Sequence, residues 1–182
     1  MQCYVINPQT KEVVQKDIHM KANSVYSFFN SILIDELPSI REHIIYADGN
    51  ALSEKKPAYF VGEQLVLGDA LIVGVDEMMG ERDVTIPKED LASIINYEVS
   101  SFYKEVLELL SATELNLYRT FEVIKANENI TLNTEWVLYT FDIADEATRN
   151  YFKTQLQQTI ENKEDVGVYM QKMAQLAMNA AG

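Results

Sequence analysis

The chain of 182 residues carries 28 acidic and 15 basic side chains, so its formal net charge is −13 at pH 7. A surface of this sign repels nucleic acid and anionic membranes, which excludes both as direct partners. Hydrophobic residues make up 47% of the chain, enough for a folded core. We therefore expect a globular protein that binds either another protein with a basic surface or a small ligand in a pocket.

The cysteine count and the apolar runs bear on the compartment. A single cysteine, Cys3, excludes both an intramolecular disulfide and a four-cysteine zinc site. Residues 1–16 lack the basic start and apolar run of a signal peptide. The longest apolar stretches, 32–34 and 70–75, are far shorter than the ~20 residues that span a bilayer. These features predict a cytoplasmic protein.

The first elements in chain order are a hairpin and a helix. Runs rich in β-formers at 3–6 and 12–14 flank an Asn-Pro turn, which predicts a hairpin. A helix capped by Asn23 or Ser24 is expected to stop before Pro38, because proline disfavours a helical conformation in the residue before it. Its apolar side chains recur at helical spacing: Val25, Phe28, Phe29, Ile32 and Leu33.

Strands follow up to residue 75. Residues 43–46, 58–61 and 65–75 have strand composition, and the last run is broken at Gly68-Asp69. Four glycines recur here at intervals of six, as in a hexapeptide β-helix: Gly62, Gly68, Gly74 and Gly80. Four hexads are too few to bury a solenoid core, so we interpret the glycines as turn and bulge positions.

The remaining chain is predicted to be mainly helical. One helix begins at Pro87 and carries Leu91, Ile94, Ile95, Phe102, Val106 and Leu109. A second begins at Thr113 and carries Leu117, Phe121 and Ile124. Strand-like composition at 130–141 interrupts the helices, which resume from Asp145 to Ile160 and again from Glu164. In the last helix Met170, Met173 and Met178 favour core packing; a groove for homo-oligomers is the alternative.

This order of elements predicts an α+β fold. A small antiparallel sheet packed with helices should occupy 1–86, and a mainly helical region with one extra strand should occupy 87–182. We expect the two regions to pack together as one unit.

Residues suited to catalysis are scarce. A nucleophile would need Cys3 beside His19 or His43, yet the sequence places the three in or next to different strands. Neither a metal-binding motif nor a nucleotide-binding glycine motif is present, so we predict no cofactor, no metal and no catalytic residue.

Acidic charge is concentrated in residues 76–127, which hold eleven acids and five bases. On the helix predicted there, three glutamates lie near one face opposite the apolar stripe: Glu98, Glu105 and Glu108. We predict that they form the contact surface for a basic protein partner. Mimicry of DNA is a less favoured alternative, because Lys104 interrupts the negative charge.

One segment resembles a known family. The run GEQLVLGDALIVG at 62–74, then Gly80-Glu81 and VTIPKED at 84–90, resembles small uncharacterised domains carried by phages and other mobile elements. With the N-terminal hairpin, the resemblance covers about residues 1–94. It implies an accessory protein acting in a bacterial cytoplasm, and it assigns no catalytic residues.

These observations favour a non-enzymatic protein that binds and modulates a host or phage protein through its acidic surface. A small-ligand binding or sequestering protein is the main alternative. An enzyme without a recognisable motif ranks after it.

Overall fold

A computed structural model describes residues 1–19, 24–78 and 80–181. It confirms the α+β class, with antiparallel strands and a helical C-terminal part. The chain divides into two compact units, 1–99 and 100–182. Residues 87–99, which the sequence analysis grouped with the helical region, fall in the first unit. Packing of the two regions as one unit stays a prediction.

The first unit consists mainly of short strands. Its elements are β1 (Gln2–Asn7), β2 (Glu12–Asp17), α1 (Ser24–Phe29), β3 (Ile34–Ile40), β4 (His43–Asp48), β5 (Ala58–Val61), β6 (Gln64–Leu67), β7 (Ala70–Val75), β8 (Glu81–Arg82), α2 (Lys88–Ser93) and β9 (Ile95–Asn96). The predicted hairpin and the strands at 43–46, 58–61 and 65–75 are confirmed. The break at Gly68-Asp69 separates β6 from β7, as expected.

The main sheet has the strand order β2-β1-β7-β4-β3, with β8 also paired to β7, and every pairing is antiparallel. Since directly opposed residues project to the same face, the register sorts the side chains. One face carries a buried cluster of Cys3, Val5, Leu71 and Val73. Helix α1 packs on that cluster through Val25, Phe28 and Phe29.

The first helix is shorter than predicted. It ends at Phe29, and Ile32 and Leu33, which we expected on its apolar face, are 87% and 53% exposed. Pro38 lies inside β3 rather than ending a helix. That strand is at the edge of the main sheet and has an irregular register between Leu37 and Ile40, where a proline is tolerated.

Gly62 and Gly68 occupy turns as predicted, whereas Gly74 lies within strand β7. Gly62 lies in the β5–β6 turn with φ 62°, and Gly68 lies between β6 and β7 with φ 70°. Both conformations suit glycine because it lacks a Cβ atom. A Cβ atom on Gly74 would lie 2.3 Å from the carbonyl oxygen of Asp83, so the close approach of that backbone requires glycine.

The helix predicted from Pro87 to Leu109 is two helices. The first, α2, ends at Ser93, and Ile95-Asn96 then pair with Val61 and Phe60 of β5. In the second unit a new helix begins after Ser100, whose hydroxyl oxygen accepts a hydrogen bond from the Tyr103 amide. A side-chain cap of this kind starts a helix independently of the preceding one.

The second unit contains four helices and a hairpin among its described residues. Its elements are α3 (Ser101–Leu110), β10 (Thr120–Lys125), β11 (Glu128–Asn133), α4 (Thr134–Asp142), α5 (Glu146–Glu161) and α6 (Val166–Ala180). The aromatic ring of Phe152 on α5 is fully buried and contacts the rings of Phe102, Phe141 and Tyr169. These four rings join the helices into one core.

Among the predictions for this unit, one is wrong, one is right only in part and two are confirmed. The helix predicted from Thr113 is replaced by a turn and by strand β10. The strand predicted at 130–141 is the end of β11 followed by α4, which is capped by Asn133. Helix α5 follows the predicted cap Asp145, and α6 follows Asp165, one residue after the predicted start at Glu164. Met170, Met173 and Met178 are buried, which confirms core packing.

No helix within the described residues is both long and apolar enough to cross a membrane.

Candidate functional site

Cys3 and His43 project from opposite faces of the main sheet. Cys3 clusters with Val73, and Val73 is directly opposite Ile44 on β4. His43 precedes Ile44 in the same strand, so its side chain points to the other face. This geometry rules out a Cys3-His43 catalytic pair.

The imidazole of His43 forms hydrogen bonds with backbone groups. The ring is buried, and its Nε2 atom accepts hydrogen bonds from the amides of Thr85 at 3.0 Å and Ile86 at 3.2 Å. Its Nδ1 atom is 2.6 Å from the carbonyl oxygen of Arg41. Because Nε2 accepts, the proton is assigned to Nδ1, which donates to that carbonyl. His43 therefore holds the segment after β8 against the start of β4.

The surroundings of Cys3 favour a structural role over a catalytic one. Its side chain is fully buried, and its Sγ atom lies 3.4 Å from the carbonyl oxygen of Lys16. Burial is the largest cause that raises the pKa of the thiol, so the reactive thiolate is disfavoured. His19 is exposed just after β2. Among the described residues, no three His, Cys, Asp or Glu side chains are grouped closely enough to hold a metal ion.

The three glutamates predicted as a contact surface do not lie on one helix. Glu98 belongs to the first unit, between β9 and the unit boundary, and its carboxylate is 3.3 Å from Lys11 Nζ. Glu105 and Glu108 lie on the solvent face of α3, opposite the buried Phe102 and Val106. The helical row that supported DNA mimicry is therefore reduced to these two residues.

Both glutamates of α3 have interaction partners. The Glu105 carboxylate is 2.5 Å from Nζ of Lys153 on α5, which partly neutralises it. Glu108 also has an interaction partner. The solvent face of α3 therefore carries the carboxylates of Glu105 and Glu108 together with the exposed ammonium group of Lys104.

A tyrosine-carboxylate pair lies on the helix-covered face of the main sheet. The phenolic hydroxyl of Tyr46 donates to Glu81 Oε1 at 2.5 Å, and Glu36 is directly opposite Tyr46 on β3. Burial, the hydrogen bond to Glu81 and the two negative charges raise the pKa of Tyr46. The phenol stays protonated at neutral pH, so Tyr46 is not a general base there.

A cleft of about 730 Å³ lies within the second unit. Its lining includes the cationic side chains of Arg119 and Lys163, but also Glu114, Glu164 and Asp165. The Asp165 carboxylate already accepts from the amide of Val168 at the start of α6. The cleft has the size of a ligand site, but its walls carry charges of both signs.

The outer edge of β10, on the side away from β11, is sealed by α6. The side chain of Gln175 accepts from the Ile124 amide at 2.9 Å and donates to the Ile124 carbonyl at 2.7 Å. Gln171 donates to the carbonyl of Glu122 at 2.8 Å. These bonds satisfy backbone groups that would otherwise be free at a sheet edge.

The contacts of Ile124 also show which backbone groups lie on the outer edge of β11, the side of that strand away from β10. Both backbone groups of Ile124 face α6, so Ile124 and its partner Asn129 are a non-hydrogen-bonded pair. The pattern alternates along the hairpin, and Glu122 and Thr131 are the next such pair. The N–H and C=O groups of Asn129 and Thr131 therefore point outward, where no described strand pairs with them.

Sequence reasoning missed this hairpin because it predicted a helix through β10, although residues 130–133 of β11 lay within the predicted strand. Phe121 and Ile124 have helical spacing, but Phe121 and Val123 also alternate as in a strand. The turn identifies this segment as a hairpin rather than a helix. Ala126 and Asn127 both have positive φ, as a two-residue type I′ hairpin requires. In the sequence, Asn127 was the residue that could have indicated this turn.

Comparison with protein families, with curated proteins and with solved structures found no match to this chain.

Proposed function

We propose that this chain is a non-enzymatic protein that binds a protein with a basic surface and modulates it. The observation that carries the proposal is the solvent face of α3, where Glu105 and Glu108 are exposed while Phe102 and Val106 anchor the opposite face. The resemblance of residues 1–94 to mobile-element domains supports an accessory role, with a host or phage protein as the target in a bacterial cytoplasm.

Electrostatics gives this surface a kinetic role. A net charge of −13 creates a long-range field that speeds encounter with a cationic partner. The field is screened over about 8 Å at physiological salt, so carboxylates near the contact matter most. Charge of this kind acts on the association rate more than on the lifetime of the complex.

The test is capture of the partner from host lysate, followed by measurement of its association rate. The test variant combines Glu105→Gln with Glu108→Lys. Glutamine is chosen at position 105 because a lysine there would face Lys153. We expect association about ten-fold slower than for the wild type, with a nearly unchanged melting temperature, because both side chains are exposed.

A matched control changes the total charge by the same amount elsewhere. It combines Glu63→Lys in the β5–β6 turn with Glu146→Gln at the start of α5; both positions are exposed. If the control slows association as much as the α3 variant, only net charge matters and the α3 surface is not the contact. Glu98→Lys is measured separately, because Glu98 belongs to the first unit.

Ligand binding is the second candidate, favoured by the cleft in the second unit. A cleft of about 730 Å³ is within the range of small-molecule sites. Arg119 and Lys163 would hold an anionic group there. A rise in melting temperature with an anionic metabolite, removed by Arg119→Ala, would support this function over protein binding.

A further inference from the structure

The outer edge of β11 offers a short set of unpaired backbone groups. Asn129 and Thr131 each present one donor and one acceptor on the same side, two residues apart. Both residues are exposed. This spacing matches an added antiparallel strand, which would exchange hydrogen bonds with both residues.

The edge lacks the features that usually prevent strand addition. Edge strands are commonly interrupted by proline, by bulges or by lysine, or they are covered by another element. Strand β3, an edge of the main sheet, contains Pro38 and an irregular register. Strand β10 is covered by Gln171 and Gln175. Strand β11, with the sequence ENITLN, contains neither proline nor lysine, and no described strand pairs with its outer side.

The negative charge of the second unit indicates that a segment bound at this edge is basic. Residues 100–182 hold twelve acidic and seven basic side chains. The exposed side chain of Glu122 is directly opposite Thr131 and on the same face. A strand added beside β11 would lie two strand spacings, or about 10 Å, from β10, a gap that extended lysine and glutamate side chains can bridge. A second copy of this chain is disfavoured, because two molecules of charge −13 repel each other.

We propose that the outer edge of β11 binds an extended, lysine-rich segment of a partner protein by antiparallel strand addition. Backbone hydrogen bonds to Asn129 and Thr131 hold the segment, and Glu122 selects for basic side chains. The inference deepens the proposed function, since it rests on a basic protein partner and names the structural form of the segment bound.

The test uses an acetylated hexapeptide of alternating lysine and valine as the probe, and hydrogen exchange of single amides by NMR as the readout. In the free protein the amides of Asn129 and Thr131 should exchange quickly, whereas the Ile124 amide, bonded to Gln175, should be protected. Saturating peptide should slow exchange at Asn129 and Thr131 and leave Ile124 unchanged.

Two variants separate backbone pairing from other effects. Thr131→Pro removes the outward N–H while leaving the bonds to β10, and we expect about ten-fold weaker peptide binding. Thr131→Val keeps the N–H and should bind as the wild type does. Thr131→Lys keeps the backbone and places a positive charge beside the peptide, so it should also weaken binding even if the proline variant folds poorly.

The outcomes are decisive. Unchanged exchange at Asn129 and Thr131, or wild-type affinity of both Thr131→Pro and Thr131→Lys, overturns the proposal. A wild-type dimer that Thr131→Pro abolishes also overturns it, in favour of a second copy as occupant. If the peptide does not bind while partner capture still depends on Glu105 and Glu108, strand addition at β11 is rejected and the proposed function stands. If the peptide binds as predicted while partner capture does not depend on Glu105 and Glu108, only the α3 contact is rejected.

Discussion

Two polar side chains of β4, His43 and Tyr46, lie on opposite faces of the main sheet and are held by different kinds of partner. His43 is buried, and its Nε2 atom accepts from two backbone amides and lies 3.3 Å from the hydroxyl oxygen of Thr85. Tyr46 is half-buried and bonds to a carboxylate. Both residue types often serve in catalysis, but here their contacts assign them to stability.

His43→Ala should lower the free energy of unfolding by about 2–5 kcal/mol. The substitution leaves the buried amide of Ile86 and the partly buried amide of Thr85 without their acceptor, and an unsatisfied buried group costs about 1–3 kcal/mol. His19→Ala, at an exposed position, is the matched control and should cost less than about 0.5 kcal/mol. Equal losses in urea denaturation would show that the His43 contacts contribute little.

Tyr46 should make the protein sensitive to alkali. The pKa of Tyr46 is raised from 10.0, so the folded state holds the phenolic proton more tightly than the unfolded state does. This stabilisation is complete below about pH 10 and is lost as pH rises through the raised pKa. Between about pH 9 and 11, the wild type should lose free energy of unfolding more steeply than Tyr46→Phe. The exposed Tyr26, changed to Phe, is the control; a wild-type slope for Tyr46→Phe would refute the assignment.

At the scale of elements, the hairpin β10–β11 and helix α6 depend on each other. Helix α6 presents two glutamines, one turn apart, to the backbone of β10. A two-stranded hairpin is marginally stable alone, so a helix that satisfies one edge fixes its position. On the opposite edge, no described strand pairs with the outer side of β11.

Gln175→Ala should lower the free energy of unfolding by about 1–2 kcal/mol, because two hydrogen bonds to Ile124 are lost. Gln171→Ala removes one bond at a more exposed position and should cost about half as much. Hydrogen exchange at the Ile124 amide should accelerate in Gln175→Ala and not in Gln171→Ala. Unchanged exchange in both variants would mean that α6 does not seal this edge.

Local signals predicted those elements whose starts and turns are encoded nearby in the sequence. Asp145 and Asp165 cap the helices that follow them, and Gly68 marks a turn between strands. Strands that depend on distant partners were missed. Ile95 joins a strand only because β5 is beside it, and the strand at Phe121 is held by glutamines some fifty residues later. The turn at Asn127 is a local signal for the hairpin, but which of its edges α6 covers depends on that long-range contact.

For the whole molecule, negative charge is spread over both units. Residues 1–99 hold sixteen acids and eight bases, and residues 100–182 hold twelve and seven. The acidic region predicted at 76–127 is divided by the unit boundary after Val99. The proposed contact surface therefore consists of α3 and the outer edge of β11, which belong to one unit, while the role of Glu98 stays a prediction.

The central claim, electrostatic recognition of a basic protein, is tested most directly by the salt dependence of the association rate with the captured partner. Between about 20 and 500 mM salt, the rate should fall at least ten-fold, while the dissociation rate changes much less. The variant with Glu105→Gln and Glu108→Lys should show a flatter dependence than the charge-matched control. An association rate that is independent of salt in the wild type would contradict the account.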